Sequence, residues 1–233
     1  MTSKINEIFR LEIDKIINNN NTISVFLVGS SKNIDFNLPN IQINDIDIFV
    51  FVNQGENQVR VIKEVEGIEF DINYFSRNGF KNLIKNKEYF FLKEMKNAKV
   101  IYDKHNTASH IITLCKNTYL EGPQIISDNN KYLLKSEIES KISRLEKKDK
   151  FEKFEYEFLT NIYLKDIIVG YFSINNKWIP KDKKLLKELK EEDKELFNLV
   201  KLVQENYKYE NLLNIYNYVF KNIDIRKSIK ITY

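Results

Sequence analysis

Residues 45–52 read Asp45-Ile46-Asp47-Ile48-Phe49-Val50-Phe51-Val52. The run lacks Gly and Pro and is rich in Ile, Val and Phe, which predicts a strand. Side chains alternate across a strand, so Asp45 and Asp47 share a face, with backbone positions roughly 6.5–7 Å apart. The remainder is too apolar for a solvent-exposed edge. The reading is an interior strand that opens with two carboxylates on one face.

Two neighbouring stretches give that pair its meaning. Upstream, Ile23 to Val28 is a short apolar run closed by Gly29-Ser30-Ser31-Lys32. A glycine there lets backbone approach a ligand closely, and free N–H groups with serine hydroxyls can hold phosphate oxygens. Downstream, Val59 to Val65 and Ile68 to Phe75 predict two strands joined at Glu66-Gly67. Glu69, Asp71 and Asn73 share one face of the second. If that strand neighbours residues 45–52, three carboxylates converge. Two such charges about 4 Å apart repel by about 4 kcal/mol at a typical effective dielectric. A fold keeps that arrangement with a compensating cation, and oxygen donors without His or Cys suit Mg²⁺ first and Mn²⁺ second. A phosphate cradle and three acids on successive strands describe metal-assisted transfer from a nucleoside triphosphate.

The rest of the chain frames this region. Ser3 is a candidate cap for a first helix, with Ile5, Ile8, Phe9, Ile13, Ile16 and Ile17 at helical spacing. Asn18 to Asn21 ends it, and a loop containing Pro39 precedes the acidic strand. Phe80 to Met95 predicts a helix and Lys99 to Asp103 a last strand. Helices are then expected near 106–118, 130–172, 181–206 and 209–222, with Gly170 to Pro180 breaking the longest. The class is α+β, a mixed sheet flanked by helices and then an all-α bundle. The expected domains are 1–105 and 106–233.

Composition narrows the chemistry. The 233 residues suffice for one large domain or two modest ones, and 42% hydrophobic against 30% charged is a globular balance. Lys is abundant, whereas only 5 arginines and 2 alanines occur, a drift typical of an AT-rich coding sequence, so the net +4 is weak evidence for nucleic-acid binding. Residues 1–79 carry 7 basic and 11 acidic side chains, and residues 80–233 carry 30 and 22, so the acidic half holds the candidate ligands. No run approaches a membrane span, and the acids within MTSKINEIFRLEIDK argue against a signal peptide. One cysteine, Cys115, excludes an internal disulfide, and two histidines leave little room for His-based metal sites. A cytoplasmic protein is expected.

Gly29-Ser30, then Asp45-Ile46-Asp47, then Asp71 on a later strand resembles the DNA polymerase β-type nucleotidyltransferase superfamily. The helical second half, with the phrase NNKWIPKDKKLL, is similar to small bacterial aminoglycoside and lincosamide nucleotidyltransferases. The resemblance implies a catalytic domain followed by a helical domain, with the catalytic acids Asp45 and Asp47 bridging two Mg²⁺ ions. Asp71 would hold the catalytic metal and assist deprotonation of an acceptor hydroxyl. That hydroxyl would attack the α-phosphorus of an NTP, with ATP foremost, and expel pyrophosphate. Gly29, Ser30, Ser31 and Lys32 would bind the nucleotide. The gap from Ser30 to Asp45 is longer than the family's usual spacing and holds Asn37-Leu38-Pro39-Asn40, so the helix after Gly-Ser is expected to be short or irregular.

The favoured acceptor is a small molecule, in the manner of antibiotic-modifying enzymes. A toxin-type enzyme acting on protein or tRNA is the second reading, and a non-catalytic nucleotide-binding module the third. Plainer roles stand beside the sharper ones. Glu69 competes with Asp71 as third acid. Lys177, Trp178 and Lys184 are cleft candidates, although Trp178 reads as a core anchor. Glu152, Glu155, Glu157 and Asp166 are candidates for a polycationic acceptor or a solvated face. His105 and His110 read as surface residues and Cys115 as core packing.

Overall fold

The computed structural model describes residues 4–38, 43 and 45–223. Ser3, Pro39 and Asn40 lie outside the described residues. The chain divides into two compact units, Met1–Gly122 and Pro123–Tyr233. The expected division after residue 105 differs by one helix, Ala108–Leu120, which belongs with the first unit.

The first unit is built on five strands, β1 (Thr22–Val28), β2 (Asp45–Val52), β3 (Gln58–Val65), β4 (Ile68–Ser76) and β5 (Lys99–Asp103). Their order is β3-β4-β2-β1-β5. β2 and β4 are parallel, and every other pairing is antiparallel. The acidic strand is therefore central, as its apolar content demanded. The β3–β4 hairpin turns at Glu66 and Gly67, with φ of 51° and 80°. Positive φ at both turn residues matches the twist of the flanking strands.

The two sheet faces carry different cores. Val25, Leu27, Ile46, Ile48, Val50, Phe70 and Ile72 lie on one face with Ile8, Phe9, Ile13 and Ile16 of helix α1 (Lys4–Ile17). Each such side chain contributes about 1.5–3 kcal/mol when fully buried. Glu12 of α1 is only 2% exposed, and it receives Lys15 Nζ at 2.6 Å and also Lys63 of β3. The opposite face is aromatic. Phe49 meets Phe75 edge-on at 5.1 Å between centroids, and Phe51 meets Phe80 edge-on at 4.9 Å. Phe80 comes from α2 (Arg77–Lys85), and Phe91, which touches both strands' rings, comes from α3 (Tyr89–Met95).

The single helix expected over 80–95 is thus two. Lys87 adopts φ of 51°, Lys87 N–H donates to Ile84 O and Glu88 N–H to Leu83 O. That is a Schellman closure with a non-glycine residue in the left-handed position, which periodicity alone does not reveal. After β5, the Asp103 carboxylate accepts from Ala108 N–H at 2.8 Å and from Ser24 Oγ at 3.2 Å, tying the start of α4 (Ala108–Leu120) to the sheet. Burial pushes Asp103 up, and its backbone and Ser24 donors reverse that and hold it below the usual range.

Among the described residues the second unit holds helices and no strand, with α5 (Asp128–Ser143), α6 (Lys153–Ile174), α7 (Asp182–Glu192), α8 (Lys194–Asn206) and α9 (Tyr209–Phe220). Ile138, Ile142, Leu164, Ile167, Leu196, Ile215 and Phe220 belong to its core. The expected 130–172 helix breaks at two short 3-10 turns, Arg144–Glu146 and Lys148–Lys150, where the sequence offers only Leu145 to the core. The expected 181–206 helix breaks at Asp193, whose carboxylate accepts from Leu196 N–H and caps α8. The stretch from Gly170 to Pro180 does end α6, but Gly170 itself stays helical. A Cβ there would lie 2.9 Å from the Phe220 ring, so this glycine serves the close packing of α9.

Candidate functional site

Two parallel strands lie in register with the same gradient. Asp45 pairs with Glu69, Asp47 with Asp71, Phe49 with Asn73 and Phe51 with Phe75. In-register neighbours share a face, so Asp45, Asp47, Glu69 and Asp71 all stand on the aromatic side of the sheet. Along both strands that face runs from exposed acid, through half-buried acid, to buried aromatic ring. The carboxylates therefore sit where the aromatic core gives way to solvent. This is the juxtaposition expected from the alternation of the two sequences.

β1 supplies the third wall. Val28 pairs with Asp47, so Gly29 and Ser30 leave the sheet beside that carboxylate. Gly29 has φ of +66°, and a Cβ built on it would lie 1.9 Å from Asp47 Oδ2. Only glycine allows both the turn and the approach of the carboxylate. The segment that follows is one 3-10 turn, Ser31–Asn33, so the expected short or irregular helix is what forms. Phe36 then stacks on Phe9 at 4.5 Å, and Asn6 Nδ2 donates to Asn37 Oδ1 at 2.7 Å, which anchors the loop to α1.

The phosphate-cradle candidates divide. Ser30 is exposed and Lys32 half-buried. Ser31 is buried, and its hydroxyl donates inward to Val28 O at 3.3 Å. Gly29 N–H donates to Glu94 Oε2 of α3 at 3.0 Å. Glu94 was not legible as a site residue, because its place beside Gly29 depends on how α3 crosses the end of β1.

Asp71 has an unexpected partner. Arg60 of β3 donates Nε to Oδ1 at 2.9 Å and Nη2 to Oδ2 at 2.7 Å, and Asn73 Nδ2 adds a bond to Oδ1 at 3.0 Å. The bond to Asp71, and then its charge, hold the Arg60 guanidinium above its ordinary value, with Asp47 and Glu69 adding to the effect. Arg60 was open to discovery in the sequence as the one arginine within the predicted hairpin, on the same face as Asn73 once the turn is placed.

For a hard cation, the donor chemistry fits. Asp45, Asp47 and Asp71 offer only carboxylate oxygens, and the Gly29 turn lets the Asp47 carboxylate sit against the backbone. The coordination is not assembled, however: among the described residues, no group of three or more His, Cys, Asp or Glu side chains is placed to hold a metal. Both Asp71 oxygens accept from Arg60 instead.

The remaining candidates are more plainly structural. Cys115 is buried, and burial pushes its thiol up to about 12. His105 and His110 are exposed. In the second unit Trp178 is half-buried, Lys184 exposed, and Lys177 paired with Glu192. Asp166 pairs with Lys141 at 2.7 Å, Glu157 lies 3.9 Å from Lys153, and Glu152 and Glu155 are exposed. Among the described residues, no helix is long and apolar enough to cross a membrane.

No protein-family model and no curated protein matches the chain. Among solved structures, a nucleotidyltransferase-like protein from Exiguobacterium sibiricum 255-15 superposes with a TM-score of 0.53 at 8% identity, over 92% of this chain and 74% of that one. At that identity the likeness speaks for architecture alone. The mixed five-stranded sheet with flanking helices, followed by C-terminal helices, is an α+β nucleotidyltransferase-like fold.

Proposed function

We propose that this chain is a cytoplasmic, metal-dependent nucleotidyltransferase. It moves a nucleoside monophosphate from an NTP, ATP foremost, to a hydroxyl of a small-molecule acceptor. The observation that carries the reading is the packing of Gly29 against Asp47, with Asp71 in register on the parallel strand of a nucleotidyltransferase-like fold.

The chain's own residues have definable tasks. Asp45 and Asp47 hold negative charge at the solvent end of the sheet, where Mg²⁺, when bound, would neutralise the phosphates and favour in-line displacement. Ser30 offers an exposed hydroxyl beside that charge, while the Gly29 N–H is held by Glu94. Asn73 orients Asp71 and is itself fixed by Gln58 Nε2 at 3.0 Å. Such a site works by positioning and charge, not by a special nucleophile, which suits a chain whose cysteine is buried and whose two histidines are exposed.

A second reading, a nucleotide-binding module without turnover, draws on Arg60, which engages both oxygens of the third acid. Labelled NTPs incubated with Mg²⁺ and a panel of aminoglycosides, lincosamides, tRNA and lysate protein separate the two. Labelled product with pyrophosphate release supports the enzyme and names its acceptor class. Tight NTP binding without product across the panel supports the module.

A further inference from the structure

Asp71 gives both carboxylate oxygens to one guanidinium. The two bonds, at 2.9 and 2.7 Å, form the paired fork that makes arginine–carboxylate contacts directional. The Arg60 side chain is 57% exposed and that of Asp71 16%. Arg60 belongs to β3, the edge strand, which lies on the other side of β4 from β2 and Asp47. The charges of Asp47 and Glu69 also bear on this guanidinium. A protein cation thus already serves the acids that the fold gathers.

We propose that Arg60 is an internal counter-ion that a divalent cation must displace before Asp71 can bind it. One exposed side chain then gates metal loading of the sheet end. The proposal rests on reading Asp45, Asp47 and Asp71 as cation-binding acids. The fork and Asn73 take three of the roughly four lone-pair sites of the Asp71 carboxylate, and the guanidinium charge opposes a divalent cation at the last. Release is inexpensive on the arginine side, because an exposed ion pair contributes little and water takes up the freed head. Asp71, held by Asn73 from below, stays in place when the arginine leaves.

The test is Mn²⁺ binding to the full chain without nucleotide, read from the free-ion electron paramagnetic resonance signal at low salt. Arg60→Gln should bind Mn²⁺ roughly 1.5- to fivefold more tightly than the parent, the range expected for an exposed pair. Arg60→Lys, which keeps charge but loses the fork, should gain less. The gain should vanish when Arg60→Gln is made in an Asp71→Asn background, since the effect runs through that carboxylate. An equal gain in that background means a general loss of positive charge, and overturns the proposal. If Asp47→Asn weakens Mn²⁺ binding but Arg60→Gln leaves it unchanged, the gate is wrong and the metal site stands. If parent and Arg60→Gln alike bind no Mn²⁺, both ideas fall. Melting curves establish that each variant folds, and Arg60→Lys carries the test if Arg60→Gln does not.

Discussion

The Asp47 carboxylate occupies the space that any side chain at position 29 would need. Its Oδ2 lies 1.9 Å, and its Cγ 2.8 Å, from the Cβ position of Gly29. The glycine of the β1 turn and the second acid of β2 are therefore one device, a backbone turn that makes room for a charge.

Gly29→Ala should displace that carboxylate. The left-handed φ of +66° adds about 1–2 kcal/mol of strain for any L side chain. We expect a modest loss of stability and a loss of turnover of at least about tenfold, the rate equivalent of about 1.4 kcal/mol. Parent-level turnover in a folded Gly29→Ala protein would show that the position of Asp47 does not matter.

Asp45→Asn and Asp47→Asn should abolish transfer while the protein stays folded. Both acids lie at the solvent end of the strand, where losing a charge relieves repulsion and removes no core packing. Mg²⁺ should tighten NTP binding to the parent and lose that effect in Asp47→Asn. Equilibrium dialysis with labelled NTP, with and without Mg²⁺, checks both points.

Glu12 predicts an acid-sensitive first unit. Burial pushes its carboxyl up, but hydrogen bonds and charge from Lys15 and Lys63 more than reverse this, so its folded value lies below the ordinary one. Such a group stabilises fully above its unfolded pKa of about 4.3 and loses that contribution as pH falls through the lower folded value. Glu12→Gln should cost about 1–2 kcal/mol at neutral pH and narrow its deficit below about pH 4. Denaturant midpoints at pH 7 and pH 3.5 measure the difference, and a pH-independent deficit would contradict it.

Cys115 should be inert in the native protein. It is fully buried in α4, and its thiol is pushed up to about 12 by burial, so almost no thiolate exists near neutrality. A thiol reagent should label it only at the rate of unfolding. Labelling within seconds in native buffer would mean that α4 opens readily.

Much of this molecule could be read along the chain. β2 begins and ends where its alternating acids and apolar residues said it would, and Glu66-Gly67 makes the hairpin. The convergence of Asp47 with Asp71 followed from period-two alternation plus one assumption, that β4 neighbours β2. Helix interruptions were harder. The Schellman closure at Lys87 and the cap at Asp193 use residues that are ordinary in a helix interior. The 3-10 turns at 144–150 depend on Leu145 reaching the core.

By itself, then, the sequence determined the acidic strand, the Gly-Ser turn, a later strand with Glu69 and Asp71 on one face, and the division between a mixed sheet and a helical second half. These are local matters, governed by propensity, periodicity and the need to bury one face. Only the tertiary structure decided what those groups touch. Arg60 is 11 residues from Asp71 and Glu94 is 65 from Gly29. Each pair meets because a hairpin or a helix crossing brings it together, and side-chain hydrogen bonds of that span leave no period in the chain. The counter-ion on Asp71 and the carboxylate on the Gly29 N–H are products of packing.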